Sequence, residues 1–381
     1  MTVLRFSFPN DIHFGVGARA GLADLLAELG VSRPLVVTDR GVAALPLWPE
    51  IVGLAGVNGA AVAGFTDVHG NPTLAQVEAG VEAYRAHGAD GIVALGGGAA
   101  IDVAKAVALA ASHAGTLFDY EDEAPGARPI TAAVPPILAL PTTAGTGSEV
   151  GRSAVISDDV THVKRIVFSP HLMPRVVLAD PELTVGLPAP VTAATGLDAI
   201  THSIEAFLAP AFHPICDGIA LEGLRLAFRA LPVAVAEPSD LGARGDMLMA
   251  SMMGAIAFQK GLGVVHSCAH ALGTVADLHH GLANAVMIDH ALAFNVPAVP
   301  AKFTRMARTV ELDDERPEAF IDALAALKAR VGLPRGVVDT GVESSQLEDL
   351  VRVALADGCH LNNPVAVDAL DFEAIFLKAM V

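Results

Sequence analysis

The chain has 381 residues, enough for two domains at roughly 150 residues per domain. Its 42 acidic and 24 basic residues give a formal charge of −18, which disfavours binding to nucleic acids and to anionic membrane surfaces. Hydrophobic residues make up 52% of the chain and charged residues 17%, so the sequence can bury a substantial core and is not disordered.

Signals for secretion or membrane insertion are lacking in the sequence. Residues 1–17 contain no basic stretch followed by an apolar run, which a secretory signal requires. The longest nearly apolar segment, residues 247–258, is far shorter than the roughly 20 residues that span a bilayer. Three widely spaced cysteines, Cys216, Cys268 and Cys359, exclude a disulfide framework and are typical of a reducing compartment. We therefore predict a cytoplasmic protein that binds neither nucleic acid nor membrane.

Strand and helix patterns alternate in the first half of the chain. Four short apolar runs are typical of buried parallel strands. These runs are residues 34–39, 91–95, 136–140 and 175–179. Helical patterns lie between them at residues 74–87 and 101–111. This alternation predicts an α/β domain over residues 1–183, with a parallel, Rossmann-like sheet covered by helices.

The pattern becomes helical after residue 183, and strand candidates nearly vanish. Pro181, Pro188 and Pro190 interrupt the chain at this change, as expected at a domain boundary. We predict an all-helical second domain over residues 184–381. Its predicted helices are residues 192–208, 215–231, 246–257, 266–278, 318–330 and 345–356.

Two glycine-rich segments follow predicted strands. Gly96, Gly97 and Gly98 end one strand, and residues 141–148 (PTTAGTGS) follow another. Backbone amides at a helix N-terminus bind phosphate well, although a glycine run can also form only a tight turn. Two such loops at the ends of parallel strands favour a nucleotide crevice. We assign no such role to the glycines from Gly15 to Gly21, because the residues before Gly15 have a poor strand pattern.

Asp198 and His202 lie four residues apart on a predicted helix whose start is marked by Thr192 or Thr195. This spacing puts a carboxylate and an imidazole on one helix face, where they can bind one divalent cation. An exposed Asp–His pair without a metal is the plainer interpretation of these two residues alone. Glu205 continues the same face, and such a residue commonly pairs with a nearby base.

A second group of histidines favours the metal interpretation. His266 and His270 are again four residues apart, and His279 and His280 follow shortly afterwards, among small and apolar residues. Buried imidazoles close together repel one another when protonated, and a shared metal ion removes this conflict. Core histidines that each bond to a carbonyl group remain the alternative, and spacing does not decide which of these histidines are ligands.

Together these segments resemble the iron-containing (group III) alcohol dehydrogenases over nearly the whole chain. The segments that carry the resemblance are GGGAAID at 96–102, PTTAGTGSEV at 141–150, DPELT at 180–184, TAATGLDAITHSIEA at 192–206 and GLGVVHSCAHALG at 261–273. The resemblance implies an α/β dinucleotide-binding domain followed by a helical metal-binding domain. It also implies an enzyme that transfers a hydride between NAD(H) and a small alcohol or aldehyde, and a homodimer or a larger homo-oligomer.

The resemblance further implies roles for individual residues. A ferrous ion would be held by Asp198, His202, His266 and His280, although zinc also suits these ligands. His279 would not be a ligand, and His270 would relay the proton of the alcohol. The dinucleotide site would comprise Asp39, Asn71, Gly97, Gly98, Ala99, Asp102, Thr142, Thr143, Thr146, Lys164 and Leu183. Asp39 favours NAD over NADP, since a carboxylate binds the ribose hydroxyl and repels a 2′-phosphate.

Three residues depart from the family pattern. Ala99 replaces the usual serine and removes one hydroxyl, and Arg152 and Lys260 replace neutral residues. The two basic side chains suggest a substrate with a carboxylate, such as 4-hydroxybutyrate, or with a phosphonate, although both side chains can equally be solvated or paired with local acids. The alternatives within the same superfamily are a glycerol or polyol dehydrogenase and a maleylacetate reductase; outside it, the alternative is a binding protein without activity.

Overall fold

The computed structural model describes residues 8, 10–122, 124–161 and 163–380. The chain divides into two compact units. The first unit extends to Thr143 and resumes from Ser148 to Thr184, and the second comprises Ala144–Gly147 and the chain from Val185 onwards. A short piece of the second glycine-rich loop thus packs with the helical unit.

The first unit contains a parallel sheet of six strands in the order β1-β8-β5-β4-β2-β3. The sheet strands are β1 (Asp11–Phe14), β2 (Pro34–Asp39), β3 (Ala63–Val68), β4 (Gly91–Gly96), β5 (Ile137–Pro141) and β8 (Val176–Ala179). Successive residues of β2 belong to different hydrophobic clusters: Leu35 and Val37 face one side, and Val36 faces the other. Both sheet faces are therefore buried, which explains the continuous apolar runs of the central strands.

The described residues of the first unit also include five α-helices and a hairpin. The helices are α1 (Leu22–Glu28), α2 (Arg40–Ala43), α3 (Leu47–Ala55), α4 (Leu74–His87) and α5 (Gly98–Ser112). The hairpin pairs β6 (Ser153–Ser157) with β7 (Lys164–Phe168) in antiparallel fashion. The residues before Gly15 have a poor strand pattern, yet they form strand β1. It is an edge strand whose residues Asp11 and Phe14 are exposed, so it lacks the apolar run of a central strand.

The second unit contains nine α-helices among its described residues. They are α6 (Ala189–Leu208), α7 (Pro214–Ala236), α8 (Leu241–Ala257), α9 (Val264–Ala276), α10 (His280–Asn295), α11 (Pro300–Thr309), α12 (Pro317–Arg330), α13 (Leu347–Ala356) and α14 (Ala369–Ala379). The predicted architecture of an α/β region followed by a helical one is confirmed. The predicted start of α6 was wrong: the helix begins at Ala189 after Pro188, and the hydroxyl of Thr195 donates to Val191 O at 2.8 Å inside the helix.

Helix α6 lies in the centre of the helical unit, and most of its residues are buried. Its C-terminal carbonyls are capped by Lys302, whose Nζ donates to Phe207 O at 2.8 Å, Leu208 O at 2.9 Å and Ala209 O at 3.2 Å. A positive charge at this end of a helix also offsets the helix dipole. Partial burial lowers the pKa of Lys302 to about 8.

Helices α6 and α10 approach each other closely beside the histidines. A Cβ atom on Gly281 would lie 2.6 Å from Ala194 O, so only glycine permits this backbone contact. Gly281 follows His280 directly, and the contact therefore places the first turn of α10 against the helix that carries Asp198.

No single helix in the described part of the chain is long and apolar enough to cross a membrane. The segments Leu241–Lys260 and Val264–Ala276 pass this length and composition test only as a pair, which is bent by 105°.

Candidate metal centre and dinucleotide site

Four predicted ligands converge inside the helical unit. Asp198 and His202 lie on α6, His266 on α9 and His280 at the start of α10. One ligand atom from each of the four side chains lies within 4.8 Å of the others. Three of the residues are buried, and His280 is partly exposed.

The spacing of the ligand atoms fits a divalent cation. Asp198 Oδ1 lies 3.8 Å from His202 Nε2, 3.9 Å from His266 Nε2 and 3.5 Å from His280 Nε2. These separations are at or beyond the limit for hydrogen bonds. Ligand atoms that bind one cation at about 2.1 Å lie roughly 3.0–3.4 Å apart. Small side-chain movements would therefore suffice to bind a cation with three nitrogen ligands and one oxygen ligand.

The protonation states of Asp198 and His202 suit this role. Burial opposes ionisation of Asp198, but the neighbouring imidazoles and the Asn284 amide lower its pKa to about 2. Burial lowers the pKa of His202 to about 4, so its imidazole is neutral at pH 7 and can offer a lone pair. Burial would also lower the pKa of His266, but its hydrogen bond to Glu205 and the nearby carboxylates raise it.

Glu205 holds His266 in position. Its carboxylate lies 2.6 Å from His266 Nδ1 and accepts hydrogen bonds from Gly263 N at 2.9 Å and Val265 N at 2.6 Å. The same carboxylate thus caps the start of α9 and directs His266 Nε2 towards Asp198. Sequence reasoning interpreted Glu205 as an ordinary partner of a base, although its position on the ligand face of α6 was the available signal.

We expect Glu205→Gln to weaken metal binding about 10–100-fold, since an amide cannot replace the charged acceptor behind His266. Competition with a chromogenic chelator measures the affinity. Glu318→Gln, at an exposed position of α12, is the matched control. Equal affinities for the two variants would contradict this role of Glu205.

Two further side chains hold Asp198. Asn284 Nδ2 donates to Asp198 Oδ1 at 2.7 Å, and the Thr146 hydroxyl donates to Asp198 Oδ2 at 3.2 Å. Asn284 lies four residues after His280 on the same face of α10, a spacing that sequence reasoning did not use. The resemblance predicted that Thr146 contacts the dinucleotide. In the structure its hydroxyl donates to Asp198, which is a predicted metal ligand.

His270 and His279 lie outside the four-residue cluster. His270 Nδ1 is 2.7 Å from Asp357 Oδ2, and its ring stacks on that of His280 with centroids 5.4 Å apart. His279 is exposed at the residue before α10. Asp357 carried no signal in the sequence, since it lies 87 residues from its partner.

The predicted dinucleotide residues of the first unit gather at the carboxyl ends of neighbouring strands. Asp39 ends β2, Gly96 ends β4, and Thr142 follows β5. Strand β2 lies between β3 and β4, so the chain changes direction across the sheet between β2 and β4. Ligands of open α/β sheets bind at such a switch point.

Glycine is required where these strand ends meet helix α5. Gly96 has a φ of 145°, a conformation that other residues rarely adopt. Gly97 precedes the first turn of α5 without a side-chain cap, so the amides there remain available to an anion. A Cβ atom on Gly97 would lie 3.0 Å from the Thr143 side chain, which places the two loops side by side.

Other predicted dinucleotide residues are more scattered in sequence. The Asp39 side chain also caps α2 by accepting from Val42 N at 2.9 Å. Asp102 is buried on α5, and its Oδ2 accepts from Val155 N at 3.0 Å, so it holds the hairpin. Lys164 lies at the start of β7, and Ala99 lies on α5. Asn71 lies between β3 and α4, and Leu183 lies in the 3-10 turn after β8.

The two basic residues predicted to bind a substrate carboxylate differ in placement. Lys260 is buried in the helical unit, where its Nζ lies 2.5 Å from Asp217 Oδ1 and donates to Phe207 O at 3.2 Å. Its charge is already paired with Asp217. This placement favours the alternative stated above, in which Lys260 pairs with a local acid and does not bind the substrate. Arg152 is partly exposed in the first unit, directly before β6.

Comparison with known proteins gives matches over both units. The model of the family described as iron-containing alcohol dehydrogenase matches residues 9–181, and the model of its C-terminal part matches residues 192–380. The chain belongs to the iron-containing alcohol dehydrogenase family. It is accordingly an enzyme, an alcohol oxidoreductase, and the family implies a divalent metal and NAD binding.

Similar members of the family span the full chain. The chain is 42% identical to a 4-hydroxybutyrate dehydrogenase of Cupriavidus necator over 379 residues, which is 97% of this chain and 98% of the relative. A solved 1,3-propanediol oxidoreductase has a TM-score of 0.94 at 35% identity and covers 99% of this chain and 100% of its own. A sulfoacetaldehyde reductase from Bifidobacterium kashiwanohense, solved with NAD+, has a TM-score of 0.91 at 30% identity, covering 100% and 99%.

Proposed function

We propose that this iron-containing alcohol dehydrogenase transfers a hydride between NAD(H) and a small primary alcohol or aldehyde, with a ferrous ion as the catalytic metal. The main support for this function is one largely buried cluster of potential metal ligands. Its members are Asp198, His202, His266 and His280. Nitrogen and oxygen ligands of this kind also suit zinc, so the preference for iron rests on the family.

The residues of the chain have separate tasks in this reaction. When bound, the cation supplies Lewis acidity to the substrate oxygen, and the nicotinamide supplies or accepts the hydride. Asp198 offsets part of the positive charge of the site, while the neutral imidazole of His202 adds none. Asp357 holds His270 through Nδ1, which leaves Nε2 to accept the proton of the alcohol or to return it.

The dinucleotide side of the proposal rests on the strand ends of the first unit. The backbone amides at Gly97 and Gly98 would bind the pyrophosphate, with Thr142 and Thr143 beside them. Asp39 would accept a hydrogen bond from the ribose and repel a 2′-phosphate, which favours NAD over NADP. The similar sulfoacetaldehyde reductase that was solved with NAD+ supports this cofactor.

For the substrate we propose an alcohol with a carboxylate at its far end, of which 4-hydroxybutyrate is the reference compound. The 42% identical relative named 4-hydroxybutyrate dehydrogenase supports this class. Arg152 is the basic residue proposed to bind the carboxylate, because it is partly exposed, whereas Lys260 is buried and bonded to Asp217.

The test compares 4-hydroxybutyrate with 1-butanol on the iron-loaded enzyme, with NAD and with NADP. A charge-assisted hydrogen bond contributes about 1.5–3 kcal/mol, so we expect a preference for 4-hydroxybutyrate of roughly 10–100-fold in kcat/KM. Arg152→Gln should remove most of that preference, and Arg175→Gln, at an exposed position, should not. A clear preference for butanol would exclude the carboxylate substrate without excluding the dehydrogenase activity.

The family resemblance also leads us to propose a homodimer or a larger homo-oligomer in the cytoplasm. The three cysteines are free in the structure, as expected of a protein from a reducing compartment.

A further inference from the structure

A second group of potential ligands lies beside the metal centre. It consists of His270, Asp357 and Cys359, which we term the His–Asp–Cys cluster. A nitrogen, a carboxylate oxygen and a sulfur atom of these side chains lie within 4.8 Å of one another. All three residues are partly exposed, while the Cys359 thiol itself is largely buried.

The carboxylate of this cluster is held as metal-binding carboxylates commonly are. Asp357 Oδ1 accepts from Ser267 Oγ at 2.7 Å and from Cys359 N at 2.8 Å, while Oδ2 faces His270. Hydrogen bonds to one oxygen orient the other towards a ligand. Burial opposes ionisation of Asp357, but His270 and Ser267 hold its pKa well below the usual range, so the carboxylate is charged.

The spacing and the local charge favour a cation over an anion. Ligand atoms around a tetrahedral zinc ion lie about 3.4–3.6 Å apart, and the three atoms here would reach that spacing by movements of roughly 1 Å. Burial and the negative charges of Asp357 and Glu205 raise the pKa of the Cys359 thiol well above its usual value. The same charges attract a cation, and a bound cation reverses their effect by stabilising the thiolate.

We propose that the His–Asp–Cys cluster is a second cation site, selective for thiol-binding dications such as zinc or cobalt, and that its occupation inhibits the enzyme. The inhibition rests on the proposed function, in which His270 accepts or returns the proton of the alcohol. Three protein ligands leave room for one water molecule, as in open zinc sites.

Binding at this site exchanges protons without any redox change. A bond forms between the cation and Cys359 Sγ, the S–H bond breaks, and its proton leaves to solvent. The cation replaces the hydrogen bond between His270 and Asp357, and the Nδ1 proton of His270 moves to Nε2, so the imidazole stays neutral. Nε2 then carries a proton and can no longer accept one from the alcohol.

Cobalt titration followed by absorption spectroscopy tests the site directly. The four residues of the first metal centre include no thiol, so a thiolate-to-cobalt charge-transfer band can come only from a cysteine site. We expect two cobalt ions per chain and such a band in the wild-type protein. Cys359→Ser should lose the band and bind one ion. Cys216→Ser is the matched control and should keep both, since the Cys216 thiol is buried beside His213.

A wild-type protein that shows no such band at saturating cobalt would overturn the site, as would a band that survives in Cys359→Ser. Asp357→Asn provides a second test that retains the thiol. It should lower the affinity for the second cobalt ion at least 10-fold while the first ion remains bound. These readouts need no turnover, so they stand if the proposed dehydrogenase activity is wrong.

The inhibitory effect is measured on iron-loaded enzyme with added zinc, each variant being compared with its own rate without zinc. We expect half-inhibition by zinc to require at least 10-fold more zinc in Cys359→Ser than in the wild type. Equal inhibition of the two proteins would overturn the inhibitory role.

Discussion

His266→Ala will abolish NADH-linked aldehyde reduction and leave the purified protein with little bound metal. His266 Nε2 faces Asp198, and its Nδ1 is held by Glu205, so this ligand is fixed from both sides. Lewis-acid stabilisation contributes several kcal/mol, and about 4 kcal/mol corresponds to roughly a 10³-fold loss of kcat/KM. Steady-state kinetics and metal analysis of the same preparation provide both numbers.

The matched control is His171→Ala, which removes an exposed histidine in the first unit. It should keep the wild-type rate and metal content. Because removal of a buried side chain can also destabilise the fold, the unfolding midpoint of each variant is compared in the presence of chelator. A His266→Ala enzyme that retains full activity would rule out the proposed metal mechanism.

His270→Ala will lower kcat about 10²–10⁴-fold while the metal content stays close to that of the wild type, since general acid–base groups contribute this much. The expected separation between activity and metal content follows from the structure, in which His270 lies outside the four-residue cluster and bonds to Asp357. Turnover and metal stoichiometry measured on one sample check both parts.

Two variants delimit the role of His270. His279→Ala removes the exposed neighbouring histidine and should leave kcat unchanged. Asp357→Asn leaves His270 in place but removes the charged acceptor of its Nδ1, so it should lower kcat more than it raises KM. If His270→Ala loses its iron as completely as His266→Ala does, His270 is a ligand of the first metal centre and its assignment to proton transfer is wrong.

Sequence patterns predicted the central part of the sheet well and its edges poorly. Strands β2 and β4 are buried on both faces, so their continuous apolar runs are conspicuous. Strand β3 lies at the edge of the sheet, contains Gly64 and Asp67, and buries only Phe65 and Val68, so it has no such run. An edge strand forms mainly through pairing with the neighbouring strand of the sheet. When that strand is distant in sequence, the residues of the edge strand show no local pattern that predicts it.

The same limit applies to the candidate site. The spacing of Asp198 and His202 on α6 predicted that their side chains lie on one helix face, and both belong to the four-residue cluster. Spacing could not decide between His279 and His280, which are adjacent in sequence; only the start of α10 places one of them in the cluster. Helix α10 itself escaped prediction because most of its residues are buried, so its apolar side chains form no one-sided stripe.

Metal removal and reconstitution show whether the activity depends on a bound ferrous ion. The enzyme is treated with chelator, freed of metal, and assayed for NADH-dependent aldehyde reduction before and after the addition of ferrous ion under anaerobic conditions. We expect chelation to abolish the activity and about one ferrous ion per chain to restore it. Full activity in protein that is shown to be metal-free would rule out a catalytic metal.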